Sequence, residues 1–240
     1  MIVRELQDSF VLIRQHDHAL ASGEFARRWR NPPRPRDSTL FAVAQHDAAW
    51  KGPDASLSWN EERDRPYSFQ DYPVELKVRA YTEGLDRLEE QDAYAACLCS
   101  MHYETLVRRF GRTGTEARFV EAQAVRQEKL RAGLSDEEIA NLDRNLGLLR
   151  LCDGLSLFVC LNEPGEDESP PPYPEGFEFD GRRFEPVWED RRTLRLEPDP
   201  FTGAFEVSIP YQRIGRDRRP LGGGSIELRV KTENPPDARG

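Results

Sequence analysis

Four histidines occur in the chain, His16, His18, His46 and His102. Three of them fall where they can share one inward-facing site with two carboxylates. His18 closes the run Gln15-His16-Asp17-His18, and the small residues Ala19, Ala21, Ser22 and Gly23 behind it would let another helix or an ion come close. His46 directly precedes Asp47. His102 has Leu98 four residues before it and Leu106 four after, so its imidazole points with the apolar face of a helix. Asp153 has Leu149 and Leu157 at the same steps, on the most apolar helix of the chain. A carboxylate there is costly unless it is paired or bound to a cation. Taken singly, each residue has a plainer role: Asp153 can bond a backbone group or an Arg, and a His-Asp pair can cap a helix end. Taken together, His18, His46, Asp47, His102 and Asp153 are a donor set for a divalent transition metal, and Fe, Mn, Zn and Ni all suit it. His16 faces elsewhere near a helix start and is assigned to the surface or to a cap.

These side chains need helices to aim them. The opening, Ile2 to Leu6 and Phe10 to Ile13 around Gln7-Asp8-Ser9, reads as a β-hairpin. A helix follows from about His16 to Trp29 and is stopped by Asn31-Pro32-Pro33. Asp37 or Ser38 caps a second helix reaching about Trp50. Residues 51–73 form a long polar loop carrying Trp59, Tyr67, Phe69 and Tyr72, of a length that often lines a site. Helix is expected over 74–110, interrupted near Gly84, then from Glu116 to Arg131. A last helix from Asp136 to about Leu161, capped by Ser135, is taken as the central one.

Beyond Glu163 the composition changes. Pro164 to Pro174 suits an extended spacer. Short alternating runs follow: 177–179 and 183–185 around Asp180-Gly181, then 193–196, 205–209 and 226–230, with Gly222-Gly223-Gly224 read as a turn. The resulting expectation is a mainly α protein, a helical bundle with a small C-terminal antiparallel β-sheet that the N-terminal hairpin can join, α+β overall. Its units are a helical body over 1–162, a spacer over 163–175, a sheet packed on the body over 176–233 and a tail over 234–240.

Composition bounds the setting. The 240 residues are 38% hydrophobic and 32% charged, with a net charge of -9, which argues against general affinity for nucleic acid or an anionic membrane. No basic, apolar leader opens the chain and no apolar run is long enough to span a bilayer, so a cytoplasmic protein is expected. Cys97, Cys99, Cys152 and Cys160 lie in apolar helical stretches rather than on the tight turns of zinc ribbons, and read as small core residues.

The order His18, then His46-Asp47, then Asp153 resembles that of the HD-domain superfamily of helical metal-dependent phosphohydrolases and related oxygenases. Across most of its length the chain is also similar to an uncharacterised bacterial family, DUF3891. The similarity lies in Met1-Ile2-Val3-Arg4, Gln15 to Ala19 with Ser22-Gly23, and the segment from His46-Asp47 to Trp50. It continues in Pro66 with Phe69, Met101-His102, Leu151-Cys152-Asp153 with Leu155-Ser156-Leu157, and Pro200-Phe201. The HD resemblance implies a mononuclear site on His18, His46, Asp47 and Asp153, with His102 where two-metal members carry further histidines; Asp54 or Glu104 are candidates to complete a second site. The Gly-Tyr-Pro signature of the cyclic-dinucleotide phosphodiesterases is absent. The resulting expectation is a metal-dependent hydrolase of the phosphoester class acting on a small phosphorylated substrate. Lys51 and Arg63 would neutralise its charge, and Trp50, Trp59 and Tyr67 would either stack on it or pack the loop down. The alternatives are an iron-dependent oxygenase with the same ligands, and a non-catalytic protein in which a metal or a hydrogen-bonded His/Asp cluster only holds the helices.

Overall fold

The computed structural model describes residues 1–111, 113–166 and 176–232. Its elements run β1 (Ile2–Glu5), β2 (Ser9–Ile13), α1 (Gln15–Arg27), α2 (Arg36–Gln45), β3 (Trp59–Asn60), β4 (Arg65–Pro66), α3 (Val74–Glu89), α4 (Ala93–Phe110), α5 (Gly114–Arg131) and α6 (Asp136–Leu161). The chain continues through β5 (Phe177–Phe179), β6 (Arg182–Asp190), β7 (Thr193–Glu197), β8 (Phe205–Gly215) and β9 (Pro220–Lys231). A short 3₁₀ turn, Ala48–Lys51, follows α2. Most of the expected spacer and the tail lie outside the described residues.

The expectation of a mainly α protein with a small antiparallel sheet is overturned. Among the described residues, seven strands form one curled, mixed sheet, a half-barrel, in the order β1-β2-β8-β9-β7-β6-β5, and six helices accompany it, an α+β structure. Two physical causes explain the underestimate. The triple glycine is no turn: Gly222, Gly223 and Gly224 lie inside β9 opposite Arg213, Gln212 and Tyr211. A Cβ on Gly223 would sit 2.6 Å from Tyr211 O, so absence of a side chain lets the two strands continue past each other. The turn comes earlier, at Asp217-Arg218, and β8 and β9 reach 11 and 12 residues. Second, β7 pairs parallel with β9 rather than antiparallel with β8. The segment after β7 runs out to α1, where Arg30 N donates to Pro200 O (2.8 Å) and Thr202 N to Arg28 O (2.9 Å), seating Phe201 against Phe25 and Trp29. The chain then re-enters the sheet one strand further on. The N-terminal hairpin does join the sheet, with β2 antiparallel to the second half of β8.

Helix boundaries follow local chemistry. Thr113 and Glu116 make a capping box for α5, and Ser135 with Glu138 makes one for α6. The break in the 74–110 stretch falls at Gln91-Asp92, where Asp92 accepts from Ala95 N (2.9 Å), and not at Gly84. Gly84 stays helical and serves close packing instead. A single buried cluster joins α1, α4 and α6 to the inner face of the sheet, with Phe25, Leu98, Leu149, Leu155, Leu196 and Ile209 among its members.

A Cβ on Gly84 would lie 2.5 Å from Ala49 Cβ and 2.8 Å from Ala49 Cα, in the turn that follows Asp47. Helix propensity alone would make Gly84→Ala stabilising by about 1 kcal/mol. Overpacking against backbone costs about 1–3 kcal/mol, and we expect it to dominate. Urea denaturation of the Gly84→Ala variant should therefore show a lowered midpoint at unchanged slope; a raised midpoint would refute the close α3 approach.

Candidate metal centre

Four chain segments deliver the five residues. His18 is on α1, His102 on α4 and Asp153 on α6, while His46 is the C-cap of α2 and Asp47 the next residue. Neighbouring side chains on a continuing helix diverge by about 100°. Here the helix ends between them: His46 keeps helical angles, whereas Asp47 (φ -110, ψ 19) does not. That change of backbone direction is what turns both side chains to one point. The end is secured by Tyr103, whose hydroxyl donates to His46 O. Close passage of α2 by α1 depends on Gly23, where a Cβ would stand 2.8 Å from Ala44 Cβ.

All five residues are buried, from 0% exposed for His18 and His46 to 7% for Asp153. His18 Nε2 lies 2.8 Å from Asp47 Oδ2. His46 Nε2 lies 3.3 Å from Asp153 Oδ1 and 3.8 Å from Asp47 Oδ2, and His102 Nε2 lies 3.6 Å from Asp153 Oδ2. The structure thus brings together every residue predicted for the site. They form two groups able to hold a metal ion, His18-His46-Asp47 and His46-His102-Asp153.

The hydrogen bonds behind the cluster decide which ring atoms are available. His46 Nδ1 donates to Val43 O (2.7 Å), which leaves Nε2 as the lone-pair nitrogen. That Nε2 is buried within ion-pair distance of two carboxylates, Asp153 and Asp47. Ser156 Oγ lies 2.7 Å from His18 Nδ1, 2.8 Å from Ser22 Oγ and 3.1 Å from Asp153 O, so it holds the His18 ring from behind. His18 Nε2 then meets Asp47 Oδ2 at 2.8 Å, so both ring nitrogens are engaged and the ring is held facing the cluster. His46 Nε2, facing two carboxylates, fits a metal, and the backing by Val43 and Ser156 is of the kind that orients ligating imidazoles.

Charge leads to the same point. Burial pushes the His46 pKa down, but Asp47 and Asp153 outweigh it and raise the value to about 9. Burial raises Asp153, and the neighbouring His46, His102 and His18 overcome that and hold it at about 2. Burial dominates at His102, lowering it to about 4 despite Asp153. Metal-free, the pocket therefore retains a proton on His46 where a bound ion would sit.

One side of the cluster opens. A cavity of about 380 Å³ is lined by Asp47, His102 and Asp153, by Gln15, Lys77 and Glu116, and by apolar Phe69, Leu106, Val107 and Leu157. A larger groove of about 770 Å³ lies along β8 and β9 and touches none of the five residues. The other predicted contacts fall elsewhere. Lys51 reaches Gln45, Arg63 pairs with Asp71, and both are exposed. Trp50 is core, edge-on to Tyr72 and Tyr81; Trp59 packs on Phe10 beneath Arg218; Tyr67 meets Tyr72. The loop aromatics thus take the packing role, except Phe69. Asp54 accepts from Gln15 N, and Glu104 pairs with Arg108, so neither adds a ligand. His16 sits beside the cluster, half-buried, its pKa lowered to about 4 by burial and Lys51. Sequence reasoning missed Ser156, Lys77 and Gln15. Only Ser156, three residues after Asp153, had a usable signal.

Fold and site together define an α+β protein with a buried histidine–aspartate cluster beside a cavity. The family model described as "Protein of unknown function (DUF3891)" matches residues 1–216, and the chain belongs to that family. No curated protein and no solved structure matches it. Among the described residues, no helix is long and apolar enough to cross a membrane.

A histidine whose folded pKa is raised stabilises the fold fully below its unfolded value of about 6.5. For His46 that contribution is lost as pH rises through about 9. In thermal melts of chelator-treated protein, Tm should fall across this window, and addition of Mn²⁺ should remove most of the fall. Identical Tm profiles with and without metal would count against an ion at His46.

Proposed function

We propose that this protein is a metal-dependent hydrolase of the phosphoester class, with His18, His46, Asp47, His102 and Asp153 holding one divalent ion. The observation that carries the reading is the buried His46 Nε2, 3.3 Å from Asp153 and 3.8 Å from Asp47, beside a cavity of ligand size. Bound there, a divalent ion would polarise a phosphoryl oxygen and acidify water. The chain supplies the rest. Val43 and Ser156 lock the His46 and His18 rings, and Lys77 brings positive charge to the cavity. Leu106, Val107 and Leu157 give it a water-poor wall. The order of these residues also resembles that of the HD-type phosphohydrolases.

A paired-iron oxygenase fits less well. Both three-residue groups draw on His46, and its Nδ1 is committed to Val43, so the one Nε2 cannot serve two ions at once. A purely structural ion fits less well too, since structural sites are closed whereas Asp47, His102 and Asp153 all line the cavity.

The test is a turnover screen on chelator-treated protein reloaded with Mn²⁺, Fe²⁺, Zn²⁺ or Ni²⁺, with 4-nitrophenyl phosphate and its bis ester. Activity should need a metal and fall by on the order of 100-fold or more in His46→Ala and Asp153→Ala. Absence of turnover with all four metals, or variants as active as the parent, would refute the reading.

A further inference from the structure

Gln15 opens α1, one turn before His18, with its backbone N held by Asp54 Oδ2 at 2.7 Å. Its side chain is 3% exposed and lines the cavity, yet its Oε1 has no hydrogen-bond partner. A buried carboxamide oxygen left without a donor weakens the fold. Such a group is expected where a ligand or its water supplies the missing donor.

The cavity's charges limit what that ligand is. Among the described lining residues Lys77 is the one lysine or arginine, against Asp47, Asp153 and Glu116. Lys77 Nζ lies 3.6 Å from Glu116 Oε1, too long for a strong charge-assisted hydrogen bond, and Glu116 Oε2 is drawn to Thr113 N and Oγ1. Lys77 therefore keeps donors for an anion. With a divalent ion in place the cavity's charges balance, which suits a ligand of low charge and leaves nothing to neutralise a triphosphate. The remaining wall, with Phe69, Leu106, Val107, Phe110 and Leu157, is apolar, and about 380 Å³ is at the small end for ligand sites.

We propose that the cavity binds a small phosphate monoester with an apolar or aromatic organic group, Lys77 contacting the phosphate and Gln15 Oε1 accepting a hydrogen bond from a water held between it and the phosphate. The proposal rests on the metal-dependent reading of the same site.

The test is calorimetric titration of the Mn²⁺-loaded full chain with three non-hydrolysable probes: phenylphosphonate, methylphosphonate and adenylyl imidodiphosphate. Phenylphosphonate should bind at least about tenfold more tightly than the other two, and Lys77→Met should weaken it by about tenfold. Gln15→Leu should weaken it similarly while raising Tm, because the orphaned oxygen is gone; a structural Gln15 would give a lowered Tm. Tighter binding of the nucleotide analogue, or unchanged phenylphosphonate binding in Gln15→Leu, would overturn the proposal and leave the metal reading intact. Phenylphosphonate binding as predicted, without turnover of phenyl phosphate, would refute the hydrolase and sustain the binding site. Failure of the parent chain to take up Mn²⁺ would overturn both.

Discussion

Two carboxylates buried among three imidazoles impose the constraint on which this structure turns. Asp47 and Asp153 are 6% and 7% exposed, set in a core where an isolated ionised carboxylate is too costly to persist. Something positive has to sit between them. The imidazoles can supply it as a proton, and His46 does so in the metal-free chain, at the expense of desolvating a charged ring. A divalent ion could do so without asking any ring to hold an extra proton. Val43 and Ser156 engage the far nitrogens of His46 and His18 and leave the near ones facing the carboxylates.

Seen from this constraint, the sheet is a backing rather than a lid. Glycine at position 154, next to Asp153, lets the Phe177 ring of β5 come so close that a Cβ would stand 2.5 Å from it. Phe158 of α6 stacks on Trp188 of β6, and Phe201 and Phe205 hold the end of α1. Those contacts fix α1 and α6, the carriers of His18 and Asp153, from one side. Among the described residues no strand of the sheet contributes to the cavity, which is walled by the start of α1, Asp47 just past the end of α2, α3, α4, α6, the start of α5 and the Phe69-Gln70 segment. Scaffold and opening are on different elements, so ligand entry need not disturb the strands.

The ligands were legible because helical spacing and burial leave strong traces. His102 and Asp153 each had leucines at four-residue steps, and a polar residue on so apolar a stripe needs a reason. The convergence of His46 and Asp47 was half legible: the dipeptide is visible, but the helix end between them is set by tertiary contacts, Tyr103 above all. Sheet size was misread because glycine marks a turn and a close strand crossing equally well, and Gly222 to Gly224 do the latter. Parallel pairing of β7 with β9 depends on Phe201 docking against α1, a contact that no local pattern encodes. Lys77 and Gln15 gave no signal, since a lysine or glutamine on an amphipathic helix is ordinarily solvated.

The central claim, one ion centred on His46, is tested most directly by counting ions. Equilibrium dialysis of anaerobically purified, chelator-treated protein against Mn²⁺ or Fe²⁺, with metal analysis of both compartments, should give one ion per chain in the parent. His46→Asn, close in size but without the Nε2 lone pair, should retain none. Two ions per chain in the parent, or an undiminished ion in His46→Asn, would contradict the account.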